Sequence, residues 1–523
     1  MTVAQIGMMV AMVLYLVGML FIGFKVSDKN ATAGDFFLGG RSLGPFVTAM
    51  SAEASDMSSW LLMGLPGLAY LSGISDPGWT AIGLALGTYI NWLVVAKRIR
   101  IYTEVNDSIT IPEFFSNRYN DRKKILTLIA AVVIVIFFIP YTASGFAACG
   151  KLFGSLFGAD YHVAMIASAF VIVGYTSLGG FLAASTTDFI QSIVMSLALL
   201  IVLVFGVHRA GGFAAVLQNA SGLSGYLDML LVYDPTSGTS SSYSLITIVS
   251  TLAWGLGYIG MPHILLRFMA IGDDKKLKLS RRIASVWVVI SMSVAIFIGI
   301  VGLGMIFIGI VGLGMTAAGA IPSLDGNQSE TIIVEIAKLL ATHGLLPALI
   351  AGVVLSGILA STMSTADSQL LAASSSIAND ILTDVLHIHL DEKQLLYVAR
   401  VCLLMIAGLS IGIAWNPDSS VFQIVSFAWA GFGASFGPVV LLALFWRRSN
   451  KYGATAGMIA GGFMVFFWKY SIRPLGGFWN IYELLPAFLV AILVNILVSL
   501  ATPAPNAEVT ADYDEVQKRI RNH

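Results

Sequence analysis

Two carboxylates and four hydroxyls interrupt an apolar run in the first eighth of this chain. The stretch Ser51-Ala52-Glu53-Ala54-Ser55-Asp56-Met57-Ser58-Ser59-Trp60 lies inside a run from about Phe46 to Leu71. Ionisable groups at membrane depth are costly, so they face a cavity or a partner and carry function by default. Asp56 therefore has two readings. It is either a carboxylate paired with a basic residue of another helix, or a group that attracts a cation and couples its binding to movement. Glu53 stands three residues earlier and shares a side with Asp56 if the segment is helical. Two unpaired carboxylates that close repel, so one holds a proton or points to a cytoplasmic vestibule. Gly64, Pro66 and Gly67 follow and weaken or break a helix.

A second polar cluster is Ser361-Thr362-Met363-Ser364-Thr365-Ala366-Asp367-Ser368. Ser361, Ser364, Thr365 and Ser368 stand at i, i+3, i+4 and i+7 and form one helix face, with Asp367 on its flank. Such a stripe serves as glue between helices or as an oxygen ligand set for a small hard cation. A third stretch, Thr251 to His263, holds Gly255, Gly257, Gly260 and Pro262, which interrupt a helix in mid-membrane. Trp254 and Tyr258 share a face there, either as core packing or as the wall of a solute pocket.

The elements that position these clusters are membrane helices. Of 523 residues, 57% are hydrophobic and only 11% charged, against about 25% charged in soluble chains. Apolar runs predict thirteen spans, at 5–24, 45–71, 79–97, 125–150, 162–179, 188–207, 244–266, 283–315, 345–378, 396–414, 422–446, 454–470 and 480–501. With the N-terminus outside, the cytoplasmic loops and C-terminal tail hold all 29 basic residues except Lys151, Arg209, Lys338, Lys469 and Arg473. That bias puts the C-terminus in the cytoplasm. In this count Arg267 joins the loop group Lys275–Arg282. Arg41 lies at the cytoplasmic mouth of span two, as an anchor or as a coupling residue.

Two outer loops are long, about 208–243 and 316–344, and Ser329–Ala341 has the apolar spacing of a short helix over the extracellular mouth. The tail after Pro503 reads as charged and mobile. Residues 296–305 and 306–315 are the same ten residues in tandem. The run from Val286 to Ala320 would measure about 52 Å as one helix, against a core of about 30 Å. It reads as one span with extra turns, a local duplication without a function of its own.

The charges balance, so no nucleic-acid or acidic partner is implied. No HExxH or Walker glycine-lysine loop appears. The seven histidines read as loop or helix-end residues. Cys149 and Cys402 both lie in apolar runs and read as free, buried thiols. A membrane-embedded enzyme would need paired catalytic groups, and none stands at suitable places. A sensor would bring a soluble output domain, and the chain ends about twenty residues past its last span.

Spans two and seven are both interrupted and lie five spans apart. Corresponding breaks in two halves point to inverted repeats with a midplane site. Spans two to six and seven to eleven are then the repeats. Half-helix N-termini would receive a solute carboxylate, and unwound carbonyls a sodium ion.

Longer matches carry a resemblance. FFLGGRSLGPFVTAMSA (36–52), ASDMS (54–58), WLLMGLPG (60–67), LSGIS (71–75), GGFLA (179–183), WGLGYIGMPHILLRFMA (254–270), STMST (361–365) and FAWAGFGASFGPVV (427–440) run in order along the chain. From about Asp35 to Ala504 it resembles the sodium/solute symporter family, and within it the bacterial sodium/proline branch. The resemblance implies an all-α integral membrane protein with the LeuT-type inverted five-helix repeat. Its parts would be 1–44 (first span and loop), 45–207 (first repeat), 244–446 (second repeat), 454–501 (two further spans) and 502–523 (tail).

It implies sodium held by the carbonyls of Ala54 and Met57 with Ser361 and the hydroxyls of Ser364 and Thr365. It implies Asp56 as the carboxylate needed for high sodium affinity. Ser58, Trp60, Tyr141, Trp254, Tyr258 and Pro262 match positions implicated in proline binding. A further sodium site of some members would involve Asp188, Ser364 and Ser368, with Asp367 where others have Ser. Glu53 and Ser59 replace glycines common in the family, which hinders unwinding and adds a charge near the ion path.

The expectation is a sodium-coupled, non-enzymatic importer of L-proline, or alternatively of another small solute, in the lipid bilayer of a bacterial cell membrane. No nucleic acid and no obligate protein partner are implied.

Overall fold

The computed structural model describes residues 2–27, 32–41, 43–272, 304 and 306–522. The described chain is a helical bundle with one small hairpin, Leu231–Asp234 paired antiparallel with Thr239–Ser242. Among the described residues eight helices are long and apolar enough to cross a membrane. The bent pair Leu245–Gly260 and Pro262–Ala270 makes nine, and Trp60–Ser72, Tyr161–Ser177 and Ile306–Ala317 are shorter apolar helices. The bundle is apolar outside and polar within. Leu14 and Phe21 are 67% and 65% exposed, whereas Asp188 and Asp367 are fully buried. That inversion follows from a hydrocarbon solvent, which accepts leucine and rejects carboxylate.

The long helix Leu345–Ser375 forms the axis. It packs along Val3–Ser27, Ile125–Phe157 and Tyr161–Arg209. Close approach comes from small residues: a Cβ on Gly352 would lie 2.6 Å from the Cβ of Ala11, and one on Gly357 2.6 Å from that of Ala198. Packing of this kind supplies helix association where water does not drive it. Helix starts are capped by Asp160, Thr110, Asn450 and the Asp391–Gln394 capping box.

Several expectations change. Of residues 180–187, read as a connection between spans five and six, all but Gly180 are helical. Gly180, at φ 59 and ψ −168, makes the turn alone inside Tyr161–Arg209, a conformation open to glycine. This draws Asp188 into the body of a helix. The loop at 208–243 carries a helix at Phe213–Ser221 and the hairpin, and the helix expected near 329–341 forms as Ile332–Ala341 after a tight turn at Gly326–Thr331.

The tail is not a loose strand of charge. Ala507–Asn522 is a helix docked on Lys97–Val105. Val509, Tyr513, Val516 and Ile520 recur at helical spacing, and the first three are buried. Arg447 binds Asp514 at 2.7 Å and Arg98 donates to Gln517. Of the tandem repeat, the first copy lies outside the described residues apart from Gly304. The second copy packs through Gly309 on Pro66, Ala69 and Tyr70. Span eight as a whole therefore lies partly outside the described residues.

Candidate functional site

The helix Pro45–Asp56 stops when Met57 adopts φ −72 and ψ 63, and the chain turns through Ser58 and Ser59 before a wide helical turn at Trp60–Gly64 and the helix Leu65–Ser72. The break thus falls at Met57, which the resemblance puts in unwound backbone, and ahead of Gly64, Pro66 and Gly67, the residue types expected to break the helix. Those residues do other work. Gly64 admits Phe422 at close range, and a Cβ on Gly67 would lie 2.8 Å from the backbone nitrogen of Glu330. Pro66 starts a helix, where its missing N–H costs nothing.

A helix that ends leaves its last carbonyls without intrahelical donors. Here the hydroxyl face of the central helix supplies them. Ser364 Oγ donates to the Ala54 carbonyl at 2.7 Å and Thr365 Oγ1 to the Ser55 carbonyl at 2.8 Å. Ser361 instead donates to Ile358 of its own helix. The structure therefore brings Ala54, Ser364 and Thr365 together at the break: the spacing predicts the hydroxyl face, and the resemblance implies its meeting with Ala54. The stripe joins helices, and it also sets oxygen atoms around unwound backbone.

Asp56 is 3% exposed and no basic side chain pairs with it among the described residues. Its partner is Tyr258, whose phenol donates to Asp56 Oδ2. Asp56 Oδ1 has no hydrogen-bond partner among the described residues. Among the described residues Asp56 is therefore not one half of an ion pair. Glu53 does not reach a vestibule: it is buried, with the Trp92 indole donating to it and Asp56 beside it.

Span seven breaks as expected. A tight helix Ala253–Gly260 ends at Met261, which is extended at ψ 111, and Pro262 opens a second helix at 45° to the first. Gly257 leaves room for the Trp429 indole, which donates to the Trp254 carbonyl at 2.9 Å. Asn91 Nδ2 donates to the Tyr258 carbonyl at 3.0 Å. Unwound backbone is tolerated here because side chains take over its hydrogen bonds.

The aromatic residues close one side. Trp60 stacks on Trp254 with centroids 5.1 Å apart, and Trp254 stacks on Tyr482 at 5.1 Å. Phe422 and Trp429 flank them. On one side of this layer lies a cavity of about 860 Å³ lined in part by Asp76, Tyr243, Lys469, Arg473 and Asn480. Ser58, Tyr141 and Tyr258 are buried close to Asp56. The Tyr141 hydroxyl lies beside Ser58 and Trp60. Ser58, Trp60, Tyr141, Trp254 and Tyr258 thus converge, with Pro262 at the start of the adjoining half-helix.

Arg41 does not join them. Its guanidinium clasps the carbonyls of Met269, Thr103 and Ser108 at 2.7, 3.0 and 2.7 Å, which ties three segments together away from Asp56. The set Asp188, Asp367 and Ser368 does assemble, but around Arg267. This residue is buried at 1% exposure rather than a loop cation, and its Nη2 donates to Asp188 Oδ2 at 3.0 Å and to Ser368. Ser51 completes the cluster, donating to Asp188 at 2.6 Å. Arg267 escaped the sequence reading because the count of cytoplasmic cations absorbed it. Ser51 stood in the polar stretch without a role. Trp429 lay in the matched stretch 427–440 without an assigned role, and Phe422 and Tyr482 carried no signal, since aromatic residues recur in most spans.

Comparison with known proteins adds the lineage. The sodium:solute symporter family model matches residues 36–461. The sodium/proline symporter of Haemophilus influenzae is 41% identical over 517 residues, covering 98% of each chain. Those of Escherichia coli and Salmonella typhimurium are 41% and 42% identical, covering 97% and 96% of this chain and 96% and 94% of their own. Among solved structures, a Na+-coupled sialic acid symporter in a substrate-bound outward-open state superposes with a TM-score of 0.76 at 19% identity, over 96% of this chain and 99% of its own. A nucleobase-cation-symport-1 family transporter in a closed conformation gives 0.53 at 12% identity, over 93% and 98%. The fold is therefore the LeuT fold. With the family model spanning most of its length and relatives above 40% identity from end to end, this chain belongs to the sodium:solute symporter family, a family of membrane transporters and not of enzymes.

Proposed function

We propose that this protein takes up L-proline by coupling it to inward sodium flow, with alternating access to a site at the two broken spans. The observation that carries the reading is the contact of Ser364 and Thr365 with the carbonyls of Ala54 and Ser55 at the interruption of span two. In this reading sodium is held by the carbonyls of Ala54 and Met57 with Ser361, Ser364 and Thr365. Asp56 supplies the charge that raises sodium affinity. Ser58, Trp60, Tyr141, Trp254, Tyr258 and Pro262 receive the solute, and the start of the Pro262 half-helix offers its free N–H groups to the proline carboxylate.

Sodium arriving from outside joins the loose end of Pro45–Asp56 to the central helix and so orders the solute pocket beside it. Binding of both then favours the closed and inward-open states. One sodium ion crossing 100 mV contributes about 2.3 kcal/mol, roughly a fifty-fold concentration ratio of solute. Arg41 holds the cytoplasmic ends of spans two, three and seven in register and acts on coupling through them.

The topology we assign is thirteen spans, N-terminus outside and C-terminus cytoplasmic, in a bacterial cell membrane, with repeats at 45–207 and 244–446 and two further spans at 454–501. The bias of lysine and arginine supports it after Arg267 is removed from the count. The test is uptake of labelled proline into proteoliposomes. It should require a sodium gradient, resist competition by unrelated solutes, and fall to background when potassium replaces sodium. Uptake unchanged in potassium ends the reading.

A further inference from the structure

Arg267 stands where the second sodium site of the family resemblance would lie. The guanidinium is buried at 1% exposure among four elements. Its Nε donates to Ser51 at 3.0 Å, its Nη1 to the His263 carbonyl at 2.9 Å, and its Nη2 to both Asp188 Oδ2 and Ser368 Oγ. The ring of Phe181 lies under it, 5.3 Å from Cζ. Asp188 comes from Tyr161–Arg209, Ser51 from Pro45–Asp56 and Ser368 from Leu345–Ser375. Asp367 accepts from Ser368 at 3.0 Å and feels the same guanidinium.

These residues do not fit a second sodium ion while Arg267 is in place. Asp188 Oδ2 already takes two donors, from Arg267 and Ser51, and so answers a positive charge that is in place. Ser368, the expected hydroxyl ligand, accepts from the same Nη2. A sodium ion added there would sit against a fixed positive charge, and like charges at contact distance in a low dielectric repel strongly. The buried carboxylates need a cation, and the chain brings its own.

We propose that Arg267 is a tethered cation that fills the second ion site, so that one sodium ion moves with each solute. Asp367, an acidic residue at a position where a hydroxyl would have sufficed for an ion, gives the guanidinium a second counter-charge and holds it there. The remaining oxygens, Asp188 Oδ1 and Asp367 Oδ2, have no hydrogen-bond partner among the described residues. They become ligands once the guanidinium is removed. Arg267 also ties the second half of span seven to spans two, six and nine, so the charge that replaces an ion also positions the helix behind the solute pocket.

The inference rests on the sodium-symport reading. The experiment measures labelled sodium and labelled proline flux together in proteoliposomes containing the full chain. Wild type should move them one to one. Arg267→Gln should raise the ratio to two and steepen the sodium dependence of uptake, and Arg267→Gln with Asp188→Asn should return it to one. Arg267→Lys, which keeps a cation, should stay at one. A wild-type ratio of two, or a ratio of one in Arg267→Gln, overturns the inference while leaving symport intact. If Arg267→Gln does not accumulate, the wild-type and Arg267→Lys ratios decide it, and two in either overturns it. Absence of any sodium-dependent uptake would instead sink the symport reading itself.

Discussion

The indole rings of Trp60 and Trp254 stack at 5.1 Å with 22° between their planes, although they belong to two different broken spans. At that separation the rings touch, and Trp254 also lines the cavity at Asp76 and Arg473. Trp254→Ala should remove the stack on both Trp60 and Tyr482. Each such pair is worth about 0.5–1.5 kcal/mol, so the KM for proline should rise roughly two- to tenfold or more. Initial rates of uptake at saturating sodium would measure it, and an unchanged KM would detach this layer from solute binding.

The hydroxyls of Ser364 and Thr365 each serve one carbonyl at the break. A hydrogen bond of this kind contributes about 0.5–1.5 kcal/mol net. Ser364→Ala and Thr365→Ala should therefore raise the sodium concentration for half-maximal uptake roughly two- to tenfold each. Ser361→Ala should do less through this route, because Ser361 bonds within its own helix. Sodium titrations of proline uptake separate the three variants, and no shift in any of them would misplace the ion.

Tyr258→Phe removes the phenol that donates to Asp56. A buried acceptor that loses its donor costs about 1–3 kcal/mol. Apparent affinity for sodium and for proline should both fall, since in the proposed site Asp56 serves the ion and Tyr258 the solute. Sodium-dependent tryptophan fluorescence of the purified protein would report the loss without transport, and wild-type titrations in the variant would count against the contact.

Glu330 receives Lys151 at 2.7 Å and also accepts from Ser420 and from the backbone of Val421 and Phe422. It both neutralises a buried cation and caps the helix Val421–Phe445. Removing one member of a buried pair costs about 3–5 kcal/mol. Lys151→Met should lower the melting temperature strongly, and Lys151→Met with Glu330→Gln should recover part of it. A double variant no more stable than the single would mean that capping outweighs the charge.

Val516→Asp puts a carboxylate under the terminal helix, where Val516 is 1% exposed. The lost burial alone is about 1.5 kcal/mol, and the new charge adds to it. The helix Ala507–Asn522 should detach and thermal stability should drop, while the sodium concentration for half-maximal uptake stays as in wild type. Limited proteolysis at the tail is the direct readout.

Much of this was legible in the residues themselves. Apolar runs of about twenty residues dictate membrane helices, because lipid leaves no other way to satisfy the backbone. Glu53, Asp56 and the serines of span two could not face lipid, so a polar interior followed from cost alone. The spacing of Ser361, Ser364, Thr365 and Ser368 placed four hydroxyls on one face before any partner was known. Gly180 and the docked tail were harder. One glycine turning a chain, and an amphipathic pattern among charges, are weak local signals.

Composition and spacing thus determined a helical membrane protein with two interrupted spans and a polar face between them. Only the tertiary structure decided where the interruption falls, which aromatic rings meet, and which charge answers Asp188. The physical reason is range. Hydrophobicity and helix periodicity act between near neighbours in the chain and can be read along it. The bond from Ser364 to Ala54 joins residues 310 positions apart, and the ion pair of Arg267 with Asp188 spans 79. Whether a lone arginine is a loop cation or the counter-charge of a buried site depends on packing, which the linear order does not encode locally.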